Sequence, residues 1–121
     1  MGMNDRIKNW LAQVPTVRGL LACGVRFGDG TALSQSYSCD CPMVALEHAW
    51  RCAADTFEVL AAYRQPATRL RWRYELAHLQ CVRRTDGILL GLFVTSRPGD
   101  LDAAAVERLM AEFEVLSNDD G

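Results

Sequence analysis

Long apolar runs are missing from this chain of 121 residues. No stretch approaches the roughly 18 apolar residues that a membrane-spanning helix needs. The first residues, MGMNDRIKNW, also lack the continuous hydrophobic segment of a secretory signal. We therefore expect a cytoplasmic protein with no insertion into a membrane.

A large charge of either sign is missing too, because 13 Lys and Arg face 15 Asp and Glu, for a net charge of -2. With 50% hydrophobic residues, this excludes a mainly disordered chain, which needs low hydrophobicity and high net charge. A near-neutral chain is also not typical of a nonspecific nucleic-acid binder. The length fits one domain, which we place at residues 1–116, followed by a flexible tail at residues 117–121.

Motifs for catalysis or cofactor binding are absent. The sequence has no phosphate loop of the form G-x-x-x-x-G-K-[ST] and no nucleophile paired with either histidine. The nearest set to a metal site is Cys39, Cys41, His48 and Cys52. Its Cys-Asp-Cys spacing lacks the usual two-residue loop between zinc ligands, and His48 and Cys52 lie toward different arcs of a predicted helix. We predict no catalytic residues, no cofactor and no metal.

Five cysteines are an odd number in a chain large enough to fold without disulfides, which predicts reduced thiols. Cys39 and Cys41 precede a predicted helix, where backbone N–H dipoles favour a thiolate. Because five thiols are available and similar antiparallel-sheet sandwiches can hold a ligand pocket, a small-molecule or thiol-redox sensor module is one of two functions that we consider.

What the sequence does contain is a regular succession of helical and strand periodicities. They predict the order α-β-β-α-β-β-β-α, an α+β fold in which helices sandwich a single antiparallel five-stranded sheet. Gly28-Asp29-Gly30 and Thr85-Asp86-Gly87 mark hairpins, the first with a tight turn whose central residues both have positive φ. The apolar run at residues 88–95 needs cover on both faces and should form a central strand beside the first strand. One face of that first strand should hold Leu21, Cys23, Val25 and Phe27.

The longest predicted helix runs from Pro42 to about Arg64, with Asp40 or Cys41 as its cap. At 100° per residue it carries two adjacent apolar stripes, together about 200° wide, more than one core requires. Either other helices of the chain bury both stripes, or a partner covers the second. The core stripe consists of Met43, Leu46, Trp50, Ala53, Phe57 and Leu60. The outer stripe consists of Ala45, Ala49, Cys52, Thr56, Val59 and Tyr63.

An edge strand is predicted after this helix, with one apolar and one arginine-rich face. A bend near Ala77-His78 separates it from the next strand. Its arginines oppose indiscriminate strand pairing, and its aromatic residues favour one defined partner. The arginine row faces solvent or an acidic protein; nucleic acid is disfavoured because the aromatic rings lie on the other face. The apolar face has Leu70, Trp72, Tyr74 and Leu76, and the charged face has Arg69, Arg71, Arg73 and Glu75.

In this order of elements the chain resembles the roadblock family of dynein-light-chain and bacterial GTPase-regulator proteins. The resemblance extends through GVRFGDGTALSQS, the long helix and RYELAHLQCVRRTDGILLGLFV to the last helix. It implies a roadblock/profilin-like fold and a homodimer, formed by pairing the edge strands and packing the long helices. It also implies a non-enzymatic adaptor or regulator of a small Ras-like GTPase. The dimer or partner interface is predicted at Ala49, Cys52, Thr56, Val59, Tyr63, Leu70, Arg71, Trp72, Arg73 and Tyr74.

Overall fold

A computed structural model describes residues 5–38, 41–65, 67–97 and 99–116 of the chain. The predicted tail, Cys39 and the possible helix cap at Asp40 lie outside these residues. The observed order of elements, α-β-β-α-β-β-β-α, confirms the prediction. The elements are α1 (Asp5–Ala12), β1 (Leu20–Arg26), β2 (Ala32–Ser36), α2 (Met43–Ala62), β3 (Arg69–Arg73), β4 (Ala77–Arg83), β5 (Leu89–Thr95) and α3 (Ala103–Val115).

The strands form one antiparallel sheet in the order β2-β1-β5-β4-β3. The apolar strand β5 lies at the centre beside β1, as its composition predicts, because Leu90, Leu92 and Val94 are buried on one face while Leu89 is buried on the other. The edges are β2 and β3. None of the helices in the described ranges has the length and apolar character needed to cross a membrane.

Each face of the sheet has its own core. On one face α1 and α3 pack against β1, β5 and the end of β4, with Ile7 and Phe113 at the centre of the layer. On the other face α2 packs alone, through Leu46, Trp50, Ala53 and Phe57. The helices are therefore divided two against one.

Trp50 determines how closely α2 approaches the sheet. Its indole lies over Gly24 of β1 and Gly91 of β5, which are direct cross-strand partners. A Cβ atom at Gly24 would lie 2.6 Å from the Trp50 ring and one at Gly91 would lie closer still, so neither position has room for a side chain. The indole Nε1 donates a hydrogen bond to Ser34 Oγ of β2 at 2.8 Å. The helix is thus anchored across three strands by one side chain.

The first hairpin turn differs from the predicted tight turn. In Gly28-Asp29-Gly30 only Gly30 has a positive φ, of 92°. Phe27 N donates to Thr31 O at 2.8 Å, which closes a three-residue loop in which the glycine takes the left-handed position. The expectation that both central residues have positive φ is therefore wrong.

Leu21 lies on the opposite face of β1 from the one predicted. A bulge at Leu20–Ala22 places Leu21 on the α2 side, away from Cys23, because the extra residue reverses the alternation.

The predicted boundaries of α2 and of the edge strand also differ from those observed. Pro42 is the N-cap of α2, so the helix begins at Met43, which is half exposed and not part of the core. The edge strand ends at Arg73, and Tyr74 N donates to Ala77 O at 2.8 Å, so Tyr74 to Ala77 form a hairpin turn earlier than the predicted bend.

Replacing Gly91 with Ala should lower the free energy of unfolding by about 3 kcal/mol, because the new methyl group overlaps the Trp50 ring. Urea titration followed by Trp fluorescence measures the change. Gly28→Ala is the matched control, since the nearest atom to a Cβ there is 3.9 Å away. Equal stability of the two variants would mean that the Trp50 ring can shift to make room for the methyl group.

Candidate interaction surface

The outer stripe of α2 is uncovered by the described part of the chain. Because α1 and α3 lie on the opposite face of the sheet, no other helix reaches it. Ala49 and Thr56 are half-buried and Cys52 is exposed. Val59 and Tyr63 are 55% and 76% exposed. The possibility that the chain's own helices bury both stripes is therefore wrong.

Strand β3 is the outermost strand on its side, so one backbone edge pairs with no described strand. Leu70 and Trp72 point toward α2 and pack, half-buried, against its core. The arginines of the strand point to the opposite face and are exposed. An edge of this kind presents unpaired N–H and C=O groups to a second strand.

A groove of about 930 Å³ lies between α2 and the β3–β4 hairpin. It brings four of the predicted interface residues together: Ala49, Cys52, Trp72 and Tyr74. Phe93 lies between two other aromatic rings, with its centroid 5.8 Å from that of Trp50 and 6.3 Å from that of Tyr74. Apolar side chains dominate the walls, and His48, Thr95, Arg97 and Asp100 also line the groove. The further apolar residues of the walls include Leu21, Ala45, Ala53, Leu76 and Leu79.

Exposed apolar side chains are concentrated on the side of the sheet that α2 covers. Six of the nine large exposed hydrophobic residues in the described ranges lie on α2, directly after it, or in the β3–β4 turn. Those six are Met43, Val44, Val59, Tyr63, Tyr74 and Leu76. A patch of this kind on one side of a small domain is typical of a protein-protein contact.

The other predicted residues do not all meet at the groove. Thr56, Val59, Tyr63 and Leu70 flank it without lining it. Arg71 and Arg73 lie across the sheet from it, because odd-numbered residues of β3 point away from α2. The predicted set therefore comprises two surfaces, one apolar and one cationic.

Leu79 and Phe93 line the groove but were not predicted as interface residues. Phe93 belongs to the apolar run at residues 88–95, whose composition predicts cover on both faces. The only sequence signal for Phe93 was that β5 is apolar on both faces, which does not distinguish a covered face from a groove wall.

The described thiols differ in accessibility. Cys23 and Cys81 are fully buried, and burial raises the pKa of both thiols. Cys23 Sγ also lies 3.6 Å from Tyr37 Oη. Raised pKa values keep the thiols protonated, which disfavours redox chemistry because the thiolate is the reactive form. Within the described ranges, no three His, Cys, Asp or Glu side chains are grouped as metal ligands.

The open five-stranded sheet, with one long helix on one face and two helices on the other, is the roadblock/LC7 fold. No protein-family model matches the sequence, and neither does any curated protein.

Three solved structures illustrate the similarity. The gliding protein MglB from Thermus thermophilus superposes with a TM-score of 0.66 at 14% identity, covering 97% of this chain and 92% of that one. MglB of Myxococcus xanthus gives a TM-score of 0.60 at 9% identity, with 93% and 79% covered. A roadblock/LC7 domain from Streptomyces avermitilis gives 0.60 at 13%, with 86% and 84% covered. At such identities the similarity establishes the fold.

We predict that Cys23→Ser and Cys81→Ser leave unchanged the number of thiols that react with DTNB in the folded protein at about pH 8. Both thiols are buried and protonated there, since their pKa values are raised. In urea, each variant should titrate one thiol fewer than the five of the parent. A lower count in either folded variant would identify that cysteine as reactive.

Proposed function

We propose that this protein is a non-enzymatic homodimeric adaptor or regulator that acts by binding another protein. The observation that supports a dimer most strongly is the location of the exposed apolar groups. The outer stripe of α2, the groove and the unpaired edge of β3 all lie on one side of the domain. A second copy covers all three at once.

The proposed dimer has a two-fold axis perpendicular to the sheet. It pairs the two β3 edges antiparallel, which extends the sheet, and places both α2 helices on the same face. The outer stripe of each helix then packs against its partner and over the groove. Each fully buried Val side chain contributes about 1.5–3 kcal/mol, and Val59 of the outer stripe is 55% exposed in the single chain.

We propose a small Ras-like GTPase as the partner. The roadblock fold supports this, because the family that the sequence resembles includes regulators of such GTPases. The sequence has no phosphate loop of its own, so the nucleotide in such a complex belongs to the partner. The regulator contributes a surface composed across the dimer.

A small-molecule sensor is the second candidate function. The observation that favours it is the groove itself, whose volume of about 930 Å³ and apolar walls fall in the range of ligand pockets. A ligand in the groove and a second copy over it exclude one another. An apolar compound that raises the melting temperature of the chain while dissociating its dimer would support the sensor.

We expect light scattering at about 100 μM to give the mass of a dimer. Tyr63→Asp should convert it to a monomer, because a carboxylate in a buried contact without a partner is strongly unfavourable. Tyr63 is exposed in the single chain, so this variant should keep the circular dichroism spectrum of the parent. Trp72→Asp should also dissociate the dimer, with some loss of stability since Trp72 packs against the core.

Leu33→Asp is the control, since Leu33 is exposed on β2, the edge strand on the other side of the sheet. It should remain a dimer. A monomeric parent, or a dimer that persists in both Tyr63→Asp and Trp72→Asp, would rule out the proposed interface.

The purified protein alone should hydrolyse no GTP. It should bind a Ras-like GTPase from the same organism and change that enzyme's rate of GTP hydrolysis or nucleotide exchange. Calorimetry should give a stoichiometry of one or two bound GTPase molecules per dimer, and the Tyr63→Asp monomer should bind none. Equal binding by the monomer would place the partner on a surface of a single chain.

A further inference from the structure

The face of the β3–β4 hairpin that points away from α2 carries a cluster of polar side chains. Arg71 and Arg73 stand on β3, and their register partners on β4 are Gln80 and His78. Both arginines are exposed, while Gln80 and His78 are half-buried. We call these residues the arginine face.

Arg69 lies on the same side of β3 and, in contrast, forms ion pairs within the chain. Its Nη1 donates to Glu107 Oε1 at 2.7 Å, and its Nη2 donates to Glu114. Both glutamates belong to α3, so this ion-pair network ties the edge strand to that helix. Arg71 and Arg73 have no ion pair or side-chain hydrogen bond with any residue in the described ranges.

In the proposed dimer, the arginine faces of the two copies lie side by side. A two-fold axis perpendicular to the sheet keeps odd-numbered residues of both β3 strands on the side away from α2, because directly opposed residues share a face. Arg71 and Arg73 of the two copies therefore form one band of four guanidinium groups. Like charges across an antiparallel pair destabilise it.

We propose that this band binds an acidic, extended segment of a partner protein, and that binding stabilises the dimer. This inference rests on the proposed homodimer. Because a strand rises about 3.3 Å per residue, Arg71 and Arg73 are separated by about 6.6 Å. Carboxylates on alternate residues of an extended segment have the same separation, and the planar guanidinium group pairs with each carboxylate at two points.

A nucleic acid fits this face less well. Single strands bind where cations and aromatic rings share a groove, whereas Trp72 and Tyr74 line the groove on the α2 side of the sheet. The polar neighbours Gln80 and His78 offer hydrogen-bond donors without a stacking surface.

The coupling to dimerisation follows from linkage. A segment that spans the two-fold axis contacts two arginines on each copy, and a monomer presents only half of that band. A ligand that prefers the dimer must shift the equilibrium toward it, and dimerisation must tighten its binding by the same factor.

The test uses a fluorescein-labelled peptide of about eight alternating Glu and Ser residues. Extended alongside the two paired β3 strands, it is long enough to reach the arginines of both copies. Anisotropy at about 50 mM salt, where screening is weak, measures its binding, and sedimentation velocity measures the dimer dissociation constant. We expect one peptide per dimer and a dimer constant at least about tenfold lower in saturating peptide.

The variant Arg71→Gln/Arg73→Gln should lose the peptide. Its dimer should be tighter than that of the parent without peptide, since four uncompensated charges are gone, and should not respond to added peptide. A purely structural role for the arginines gives the opposite sign, a weaker dimer. Arg51→Gln/Arg64→Gln is the matched control, because both arginines are exposed on or directly after α2. It should behave as the parent does.

Three results would overturn the inference. Peptide binding that survives Arg71→Gln/Arg73→Gln would place the acidic site elsewhere, and a dimer indifferent to bound peptide would remove the coupling; both leave the proposed dimer intact. Equal affinity for oligothymidylate of the same charge would make the face a general polyanion site. A parent that sediments as a monomer with and without peptide instead contradicts the proposed homodimer itself.

Discussion

The seating of one indole ring on a pair of glycines governs the arrangement of this domain. Trp50 lies over Gly24 and Gly91 at the centre of the sheet, and its Nε1 reaches Ser34 on the edge strand β2. Across the sheet, Ser34, Gly24, Gly91 and Cys81 are successive register partners with small or absent side chains. They form a trough that accommodates the flat indole ring, so the position of α2 depends on the three strands that Trp50 contacts, β1, β5 and β2.

Anchoring through one stripe leaves the rest of α2 available. The ring holds the helix over β1 and β5, and the sheet continues under it to β4 and β3, where no second helix of the described ranges covers the α2 side. The groove and the exposed outer stripe follow from this offset. On the opposite face, α1 and α3 cover the sheet as far as Arg69, which pairs with α3, and Arg71 and Arg73 of β3 extend beyond this cover. The domain thus has an apolar and a cationic surface separated by the thickness of one sheet.

Much of the fold could be predicted from local pattern. The central position of β5 followed from a run of apolar residues that is not interrupted by polar ones. The two stripes of α2 followed from the angular spacing of residues along a helix. The failures were of a different kind. Leu21 changed face because a bulge is set by how β1 pairs with β5, which no single strand encodes. Tyr74 lies outside β3 because its backbone N–H bonds Ala77 O and closes a turn there. The alternation of apolar and charged residues does not reveal that turn. The complete groove could not be predicted, because its walls also include Phe93, which looks like a core residue in the sequence and is left half-buried only by the offset of α2.

The strand order also has a consequence for how the chain folds. Three of the four strand pairings join strands that are consecutive in sequence, and the pairing of β1 with β5 alone connects distant parts of the chain. The sheet is therefore two locally formed pieces, β1–β2 and β3–β4–β5, that meet along a single seam. Local hairpins form quickly, whereas closing a seam across the intervening helix carries most of the loop entropy. Trp50 spans that seam, because its ring lies over Gly24 of β1 and Gly91 of β5, so its indole is buried only when the two pieces meet.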